Sequence, residues 1–516
     1  MFDQQSDLLG LSATIDPLNT DKRHVRTSLF YKCKAMNPMK RSSTVAFISA
    51  GMLSPKKRDH VLARRQLYLN YGALSLATKL ELAGHDVSLL HGEHRSPEEV
   101  FRQLQESSRF PSIYPLMVSI PSFYALPWAQ TFCKLAKAFD PYCRIVVGGR
   151  WVIGPDPNWF RGLLPEADTV APGLSESVIE QLLTERPVLS RIAEPTPGFT
   201  LNHRLVDGFR KYQPSIEASR GCGMGCVFCE ERDIQVEKLG DGAALATSMA
   251  LIREQYEGEE IRPYLQSSMF LPTAHWAAGF ADEMHRRGLD ISWRTETRVD
   301  VMTPQTLEHL ARAGLRVIDL GLETASPHQI LAMKKARNPS RYLSAASDLL
   351  TACRDNGVKA KVNVLLYAGE TRETLEETTA WLEGHRDAIA GVSVGPVLAY
   401  GPPKTADVLI QEWCRLGARP IDKRAAATSG ITAMHLSPDF PAEEAEAASL
   451  ALTRHFMDQD AYFALKSFSY YPRDYDREDF DRDVSASDPS LLPFSVRDTS
   501  TPEVMPSHNF DTPFQD

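Results

Sequence analysis

The 516-residue chain has no apolar run approaching the ~18–20 residues that cross a bilayer, so no membrane span is expected. Its opening stretch, MFDQQSDLLGLSATIDPLNTDKR, lacks the basic start and apolar middle of a secretory signal, and a cytoplasmic location is the simplest expectation. Positive charge is not in excess either. The net charge of -9 offers no global attraction for nucleic acid or for an anionic membrane surface. Eight cysteines in so long a chain are too few for a disulfide framework. Five of them, Cys33, Cys133, Cys143, Cys353 and Cys414, are scattered and read as small buried hydrophobes or inert thiols. No short-period repeat is present. What remains is 43% hydrophobic and 24% charged residues, the balance of an ordinary globular protein of two or three domains.

The other three cysteines are crowded. SRGCGMGCVFCEE at 219–231 holds Cys222, Cys226 and Cys229, with glycines at 221, 223 and 225. A fourth cysteine is missing nearby. Structural zinc takes four ligands, so a zinc site here would need a distant His or Cys to complete it. A cubane iron–sulfur cluster has four irons, each normally held by one cysteine. Three cysteines would leave one iron open to bind a small molecule. The glycines suit a loop that wraps such a cluster, because they adopt backbone angles other residues resist.

Around this loop the hydrophobic pattern alternates between strand and helix periods. TVAFISA (44–50), DVSLLHG (86–92), YPLMVSI (114–120), RIVVGG (144–149) and ADTVAPG (167–173) read as strands, with helices between and after them, including SESVIEQLLTE (175–185). The class is α/β, and the first part is a doubly wound, Rossmann-like parallel sheet, which binds ligands beyond the carboxyl ends of its strands. Alternation resumes near 214–218 and continues through PYLQSSMFL (263–271), SWRTETR (292–298), VIDLGLE (317–323), AKVNVLLY (360–367) and AGVSVGPVLAY (390–400). About six β/α units suit a full or partial (β/α)6 barrel of the TIM type. The expected layout is an N-terminal extension 1–42, a doubly wound domain 43–187, a linker 188–210 and a barrel 211–402. A mainly helical region 403–485 and a disordered tail 486–516 complete it. In the helical region, Tyr462, Tyr470, Tyr471 and Tyr475 could line a pocket, with aromatic core packing the plainer role.

CxxxCxxC with an aromatic at Phe228, on a loop after a strand at the start of a barrel, resembles the radical S-adenosylmethionine (radical SAM) superfamily. The resemblance implies a 4Fe-4S cluster on Cys222, Cys226 and Cys229, whose open iron chelates S-adenosylmethionine (SAM). Reductive cleavage then gives a 5′-deoxyadenosyl radical, with an electron donor such as flavodoxin or ferredoxin. WRTETRVDVMTPQTLEHLARAGLRVIDLGLETASPHQILAMKK (293–335) and KVNVLLYAGETRETLEET (361–378) are similar to later strands of the same superfamily. By that likeness Phe228, Ser268, Arg298, Glu323 and Asn363 become candidate SAM contacts, and Glu370 a contact of SAM or substrate. The plainer readings are a salt bridge for Arg298, a helix cap for Glu323 and the acidic start of a helix for Glu370. One departure stands out. Where many members carry an acidic motif for the SAM amino group, this chain reads LQSSMFLPT, with neutral Gln266, Ser267 and Ser268.

The doubly wound part is similar to the cobalamin-binding domain of one radical SAM class. VSIPSFY (118–124), VVGGRWV (146–152) and VAPGLSES (170–177) carry the likeness, which implies that Ser119, Ser122, Gly148, Gly149 and Gly173 border a cobalamin. The chain lacks the Asp-x-His-x-x-Gly signature that brings a histidine to cobalt, and His60 and His91 do not fit it. A sheet binding a different nucleotide, or nothing, is the plainer reading. Together the two likenesses imply methyl transfer from SAM, by way of cobalamin, to an unactivated carbon of a small-molecule intermediate. A cobalamin-dependent radical rearrangement, ring contraction or oxidation is the alternative. A non-catalytic cobalamin or iron–sulfur sensor is the alternative from another class.

Overall fold

The computed structural model of the chain describes residues 41–55, 59–152, 157–171, 173, 178–184, 200–232 and 234–496. The N-terminal arm to residue 40, the Pro-rich link to residue 199 and the chain from 497 lie outside them, as does most of the stretch 172–177.

In β1 (Val45–Ser49) every residue is buried, the pattern of a strand covered on both faces. Alternation divides its side chains. Val45 and Phe47 join one apolar cluster with Leu74, Ala77 and Leu80 of the helix Tyr71–Leu82. Ala46 and Ile48 join a second, with Val100 and Leu104 of the helix Pro97–Glu106 and Phe132 of the helix Leu126–Phe139. Around β1 lie β2 (Val87–His91), β3 (Leu116–Ser119), β4 (Ile145–Gly148) and β5 (Thr169–Val170), all parallel, in the order β2-β1-β3-β4-β5. The chain reverses its winding between β1 and β3, which puts the ligand crevice of such a sheet at their carboxyl ends. There Asn70 Nδ2 donates to both Ser49 Oγ and Ser119 Oγ, each at 3.0 Å.

The second sheet is also parallel. Its strands β6 (Ser215–Ser219), β7 (Tyr264–Ser267), β8 (Trp293–Arg298), β9 (Leu315–Glu323), β10 (Lys359–Leu366) and β11 (Gly391–Pro396) lie in sequential order, with helices between them. One face joins the helices in a large apolar core. The other face is polar. Arg294 and Asp319, 0% and 3% exposed, form an ion pair on it, and Lys361 Nζ reaches Asp319 at 2.8 Å. Arg298 and Asn363 are both in register with Gly321, so they share one row of this sheet.

Beyond β11 the expectation of a mainly helical region is only partly met. Helices are present, but β12 (Leu398–Tyr400), β13 (Arg419–Pro420) and β14 (Ile431–His435) form a small antiparallel sheet in the order β12-β14-β13. The strands are too short for their period to stand out from the flanking helices. The apolar pattern over 442–466 is two helices, Ala442–Phe456 and Gln459–Ser467. Met457 between them is extended, and the Asp458 side chain caps the second helix by accepting from Ala461 N. Residues 200–210, read as the end of a linker, are packed, with Leu201, His203 and Val206 buried. Leu492 and Phe494, read as part of a disordered tail, are buried against Tyr462 and Phe480. Among the described cysteines, Cys133, Cys143 and Cys353 are buried as expected, but Cys414 is exposed. No helix among the described residues is long and apolar enough to cross a membrane.

Candidate functional site

The cysteine loop leaves the end of β6 and is closed by its own backbone. Cys222 N donates to Ile234 O at 3.0 Å, and Glu237 N to Arg220 O at 2.8 Å. Gly221, Gly223 and Gly225 all have positive φ, and at Gly221 a Cβ would collide with Gln235 O. On the far side, Val227 N donates to Met333 O at 3.1 Å, which holds the loop against the segment that follows β9.

Hydrogen-bond donors reach the thiols. Arg298 Nη1 lies 3.3 Å from Cys226 Sγ, and Glu231 N lies 3.4 Å from Cys229 Sγ. Burial raises the Cys222 thiol and pushes the Cys229 thiol up to about 11, and the neighbouring thiols add to both shifts. The three sulfurs are therefore close enough to repel as anions. Structural zinc takes four ligands, and the loop offers three thiols. A larger multi-iron cluster suits such a donor set better than zinc does.

The predicted partners of the loop prove to be tied to one another. Arg298 is 7% exposed, and its guanidinium meets Asp300 through two bonds of 2.9 Å and Lys335 O at 2.6 Å. Arg298 thus makes the salt bridge of its plainer reading, with Asp300, and also reaches Lys335 O and Cys226 Sγ. Glu323 sits at φ 65, and its carboxylate accepts from Lys335 Nζ at 3.1 Å. Lys335 Nζ also lies over the Phe228 ring, 5.9 Å from its centre. Lys335 thus joins Phe228, Glu323 and Arg298, and sequence reasoning missed it. A lone lysine in the KK pair after a helix carries no motif.

A cavity of about 960 Å³ opens beside this loop. Ser49, Ser119, Gly148, Gly149 and Gly173 line it from the first sheet, and Ser215, Glu217, Gln266 and Ser268 from β6 and the β7 end. Gly221, Glu230 and Glu231 border it from the cysteine loop, and Tyr470 and Tyr471 from the C-terminal region. It stands at the upper end of the roughly 300–1,000 Å³ typical of ligand sites. Gly149 has φ +100, and a Cβ there would approach Ile120 O to 2.6 Å. At Gly51, another lining residue, a Cβ would meet Glu93 O at 2.7 Å. The glycines thus let these lining turns press closely against the Ile120 and Glu93 backbone.

Other predicted residues lie elsewhere. Ser122 is not among the cavity residues, and its Oγ is buried with no partner among the described residues. Ser267 is turned inward, where its Oγ meets Ser219 Oγ at 2.5 Å, whereas Gln266 and Ser268 face the cavity. Asn363 accepts from Lys361 Nζ at 3.2 Å. Glu370, 2% exposed, accepts from Thr374 Oγ1 at 2.6 Å and from Tyr367 N at 3.3 Å, so it is an internal cap. Of the four tyrosines, Tyr462 and Tyr471 are core residues, and Tyr470 and Tyr471 also reach the cavity.

Comparison with known proteins agrees with this geometry. The family model for the radical SAM superfamily matches residues 216–382. An uncharacterized methyltransferase of Pyrococcus horikoshii is 22% identical over 330 residues, 57% of this chain and 69% of that protein. The hopanoid C-3 methylase of Methylococcus capsulatus is 23% identical over 333 residues, 59% of this chain and 62% of that protein. Among solved structures, the radical SAM methyltransferase TsrM of Kitasatospora setae, solved with tryptophan and a SAM analogue, has a TM-score of 0.59 at 17% identity. That match covers 81% of this chain and 90% of TsrM. The cobalamin-dependent radical SAM enzyme OxsB with aqua-cobalamin has a TM-score of 0.52 at 15% identity, over 66% of this chain and 52% of OxsB. The chain therefore spans about half of OxsB and less than two thirds of the hopanoid methylase, and the structural likenesses establish the fold. Residues 216–382, which carry the cysteine loop and the strands β6 to β10 described above, are thus the part of this chain that matches the radical SAM superfamily.

Proposed function

We propose that the chain is a cobalamin-dependent radical SAM methyltransferase acting on an unactivated carbon of a small-molecule intermediate. The observation that carries this reading is the single cavity that joins the switch point of the first sheet to the cysteine loop. The names of its relatives, two of them methyltransferases by sequence and one by structure, support it.

In this reading Cys222, Cys226 and Cys229 hold a 4Fe-4S cluster. Ser268, with Gln266 beside it, offers polar contacts to SAM at the cavity edge, in place of an acidic motif. Asn363 offers an amide from the sheet row it shares with Arg298. Ser119, Gly148, Gly149 and Gly173 border the cobalamin. When bound, these groups supply one-electron cleavage of SAM to a carbon radical and a transferable methyl. The protein fixes the cysteine loop through Arg298 and Lys335 and keeps the reacting centres in a shielded cavity. Flavodoxin or ferredoxin is the proposed electron donor.

Anaerobic reconstitution with iron, sulfide and hydroxocobalamin tests this. The expected result is one cluster, lost in Cys226→Ala, together with bound cobalamin and 5′-deoxyadenosine formed from SAM under a reductant. Absence of bound cobalamin would overturn the class. OxsB, whose likeness is to a cobalamin-dependent radical enzyme rather than a named methyltransferase, keeps a second reading in view. If substrate gives 5′-deoxyadenosine but no S-adenosylhomocysteine, the reaction is a non-methylating one.

A further inference from the structure

We infer that Arg150 is a positioning residue that couples occupancy of the cavity to the order of the cysteine loop. The inference rests on the reading that the cavity takes cobalamin and the loop a cluster.

Arg150 directly follows the Gly148-Gly149 turn at the end of β4, so its backbone belongs to the cavity wall of the first sheet. Its side chain crosses to the other half of the molecule. Nη2 donates to Glu230 Oε1 at 2.7 Å and to Glu231 Oε1 at 2.6 Å. Both acids adjoin Cys229. Glu231 is also the residue that closes the loop. Its N–H donates to Cys229 Sγ, and its carbonyl accepts from Gly223 N at 3.4 Å and from Ile234 N at 3.1 Å. A pull on the Glu231 side chain is therefore transmitted to one cysteine sulfur and to the backbone between the other two.

Gly149, Arg150, Glu230 and Glu231 all line the one cavity. The Arg150 side chain is 58% accessible, while those of Glu230 and Glu231 are 24% and 16% accessible. With water in the cavity, such a pair is screened and holds the loop weakly. A ligand that fills the cavity displaces that water, and the same charges at the same distances then attract more strongly. Coupling of this kind is reciprocal, so a loop fixed by its cluster also presets Arg150 and the turn before it.

The test uses the full-length protein, reconstituted anaerobically with iron and sulfide, with and without hydroxocobalamin. Cluster loss to a ferrous chelator is followed by visible absorbance, and the reduced cluster by electron paramagnetic resonance. In the wild type, hydroxocobalamin is expected to slow cluster loss by about five-fold or more. Arg150→Ala is expected to assemble the cluster and bind hydroxocobalamin, yet to show no protection. Arg150→Lys, which keeps the charge but loses the planar fork, is expected to restore part of it. If Arg150→Ala does not fold, the double variant Glu230→Gln/Glu231→Gln removes the same pair from the other side and should show the same loss. An undiminished protection ratio in these variants overturns the clamp. Wild-type protein that binds hydroxocobalamin without protection overturns the clamp alone. Wild-type protein that carries a cluster but binds no hydroxocobalamin overturns the class reading and the clamp with it.

Discussion

Glu370 ends the strand-to-helix turn after β10 with its carboxyl group turned into the protein. Burial pushes its pKa up to about 7 from an ordinary 4.5, against the opposing bonds from Thr374 and Tyr367. In the unfolded chain the group ionises at the ordinary value, so the unfolded state releases its proton first as pH rises. The folded state is therefore favoured below about pH 4.5 and loses that advantage as pH climbs to about 7. The full shift corresponds to roughly 3 kcal/mol. Glu370→Gln should flatten this part of the Tm-against-pH curve and melt higher than the wild type at neutral pH. Parallel curves for the two proteins would refute the assignment. The sequence placed Glu370 at a strand end near a possible ligand. Its inward direction depends on Thr374 and Tyr367 packing around it, and no spacing rule reports that.

At the scale of the element, the β4 turn separates two glycines that look alike in sequence. A Cβ at Gly148 would come no closer than 3.5 Å to Ala171 O, an ordinary contact. At Gly149 it would press on the Ile120 backbone, in a left-handed conformation that costs a non-glycine residue about 1–3 kcal/mol. Gly149→Ala should lower Tm and weaken binding of hydroxocobalamin at least ten-fold, whereas Gly148→Ala should keep the wild-type Tm. Thermal melts and equilibrium dialysis on the two variants check this, and equal effects would contradict it. Strand positions were readable because apolar runs of strand length and helical periods alternate along the chain, and the observed β1 to β11 fall within a few residues of them. The antiparallel sheet β12-β14-β13 was not readable. β12 lies within the stretch 390–400 read as one strand, while β13 and β14, 2 and 5 residues long, join it only through long-range pairing.

Across the whole molecule, the C-terminal region is fastened to the polar face of the second sheet through Arg294. Its Nη1 donates to Leu465 O at 3.2 Å, and its guanidinium lies 4.6 Å from the centre of the Tyr470 ring and 5.0 Å from that of Tyr264. Asp319 neutralises it, and the arginine together with Lys361 holds that carboxyl well below the usual range. Arg294→Met leaves Asp319 buried with Lys361 as its ion-pair partner among the described residues. Removing one member of such a buried pair costs about 3 kcal/mol or more. A large drop in Tm is expected, along with faster proteolysis of the region after residue 456. A variant as stable as the wild type would show that the ion pair does not fasten this region.

The donor set of the loop was legible from local sequence. Three thiols in eight residues, with glycines between them, are a local pattern, and ligand number follows from counting. The sequence by itself also determined the order of strands and helices, because periodicity is written in neighbouring residues. Tertiary structure alone decided which side chains meet. Arg150 and Glu231 are 81 positions apart, Arg298 and Cys226 are 72 apart, and Gln266 and Ser268 face the cavity while Ser267 turns away. Contacts between distant residues depend on how two sheets pack and on the twist of each strand, and these are properties of the assembled core rather than of any window of sequence.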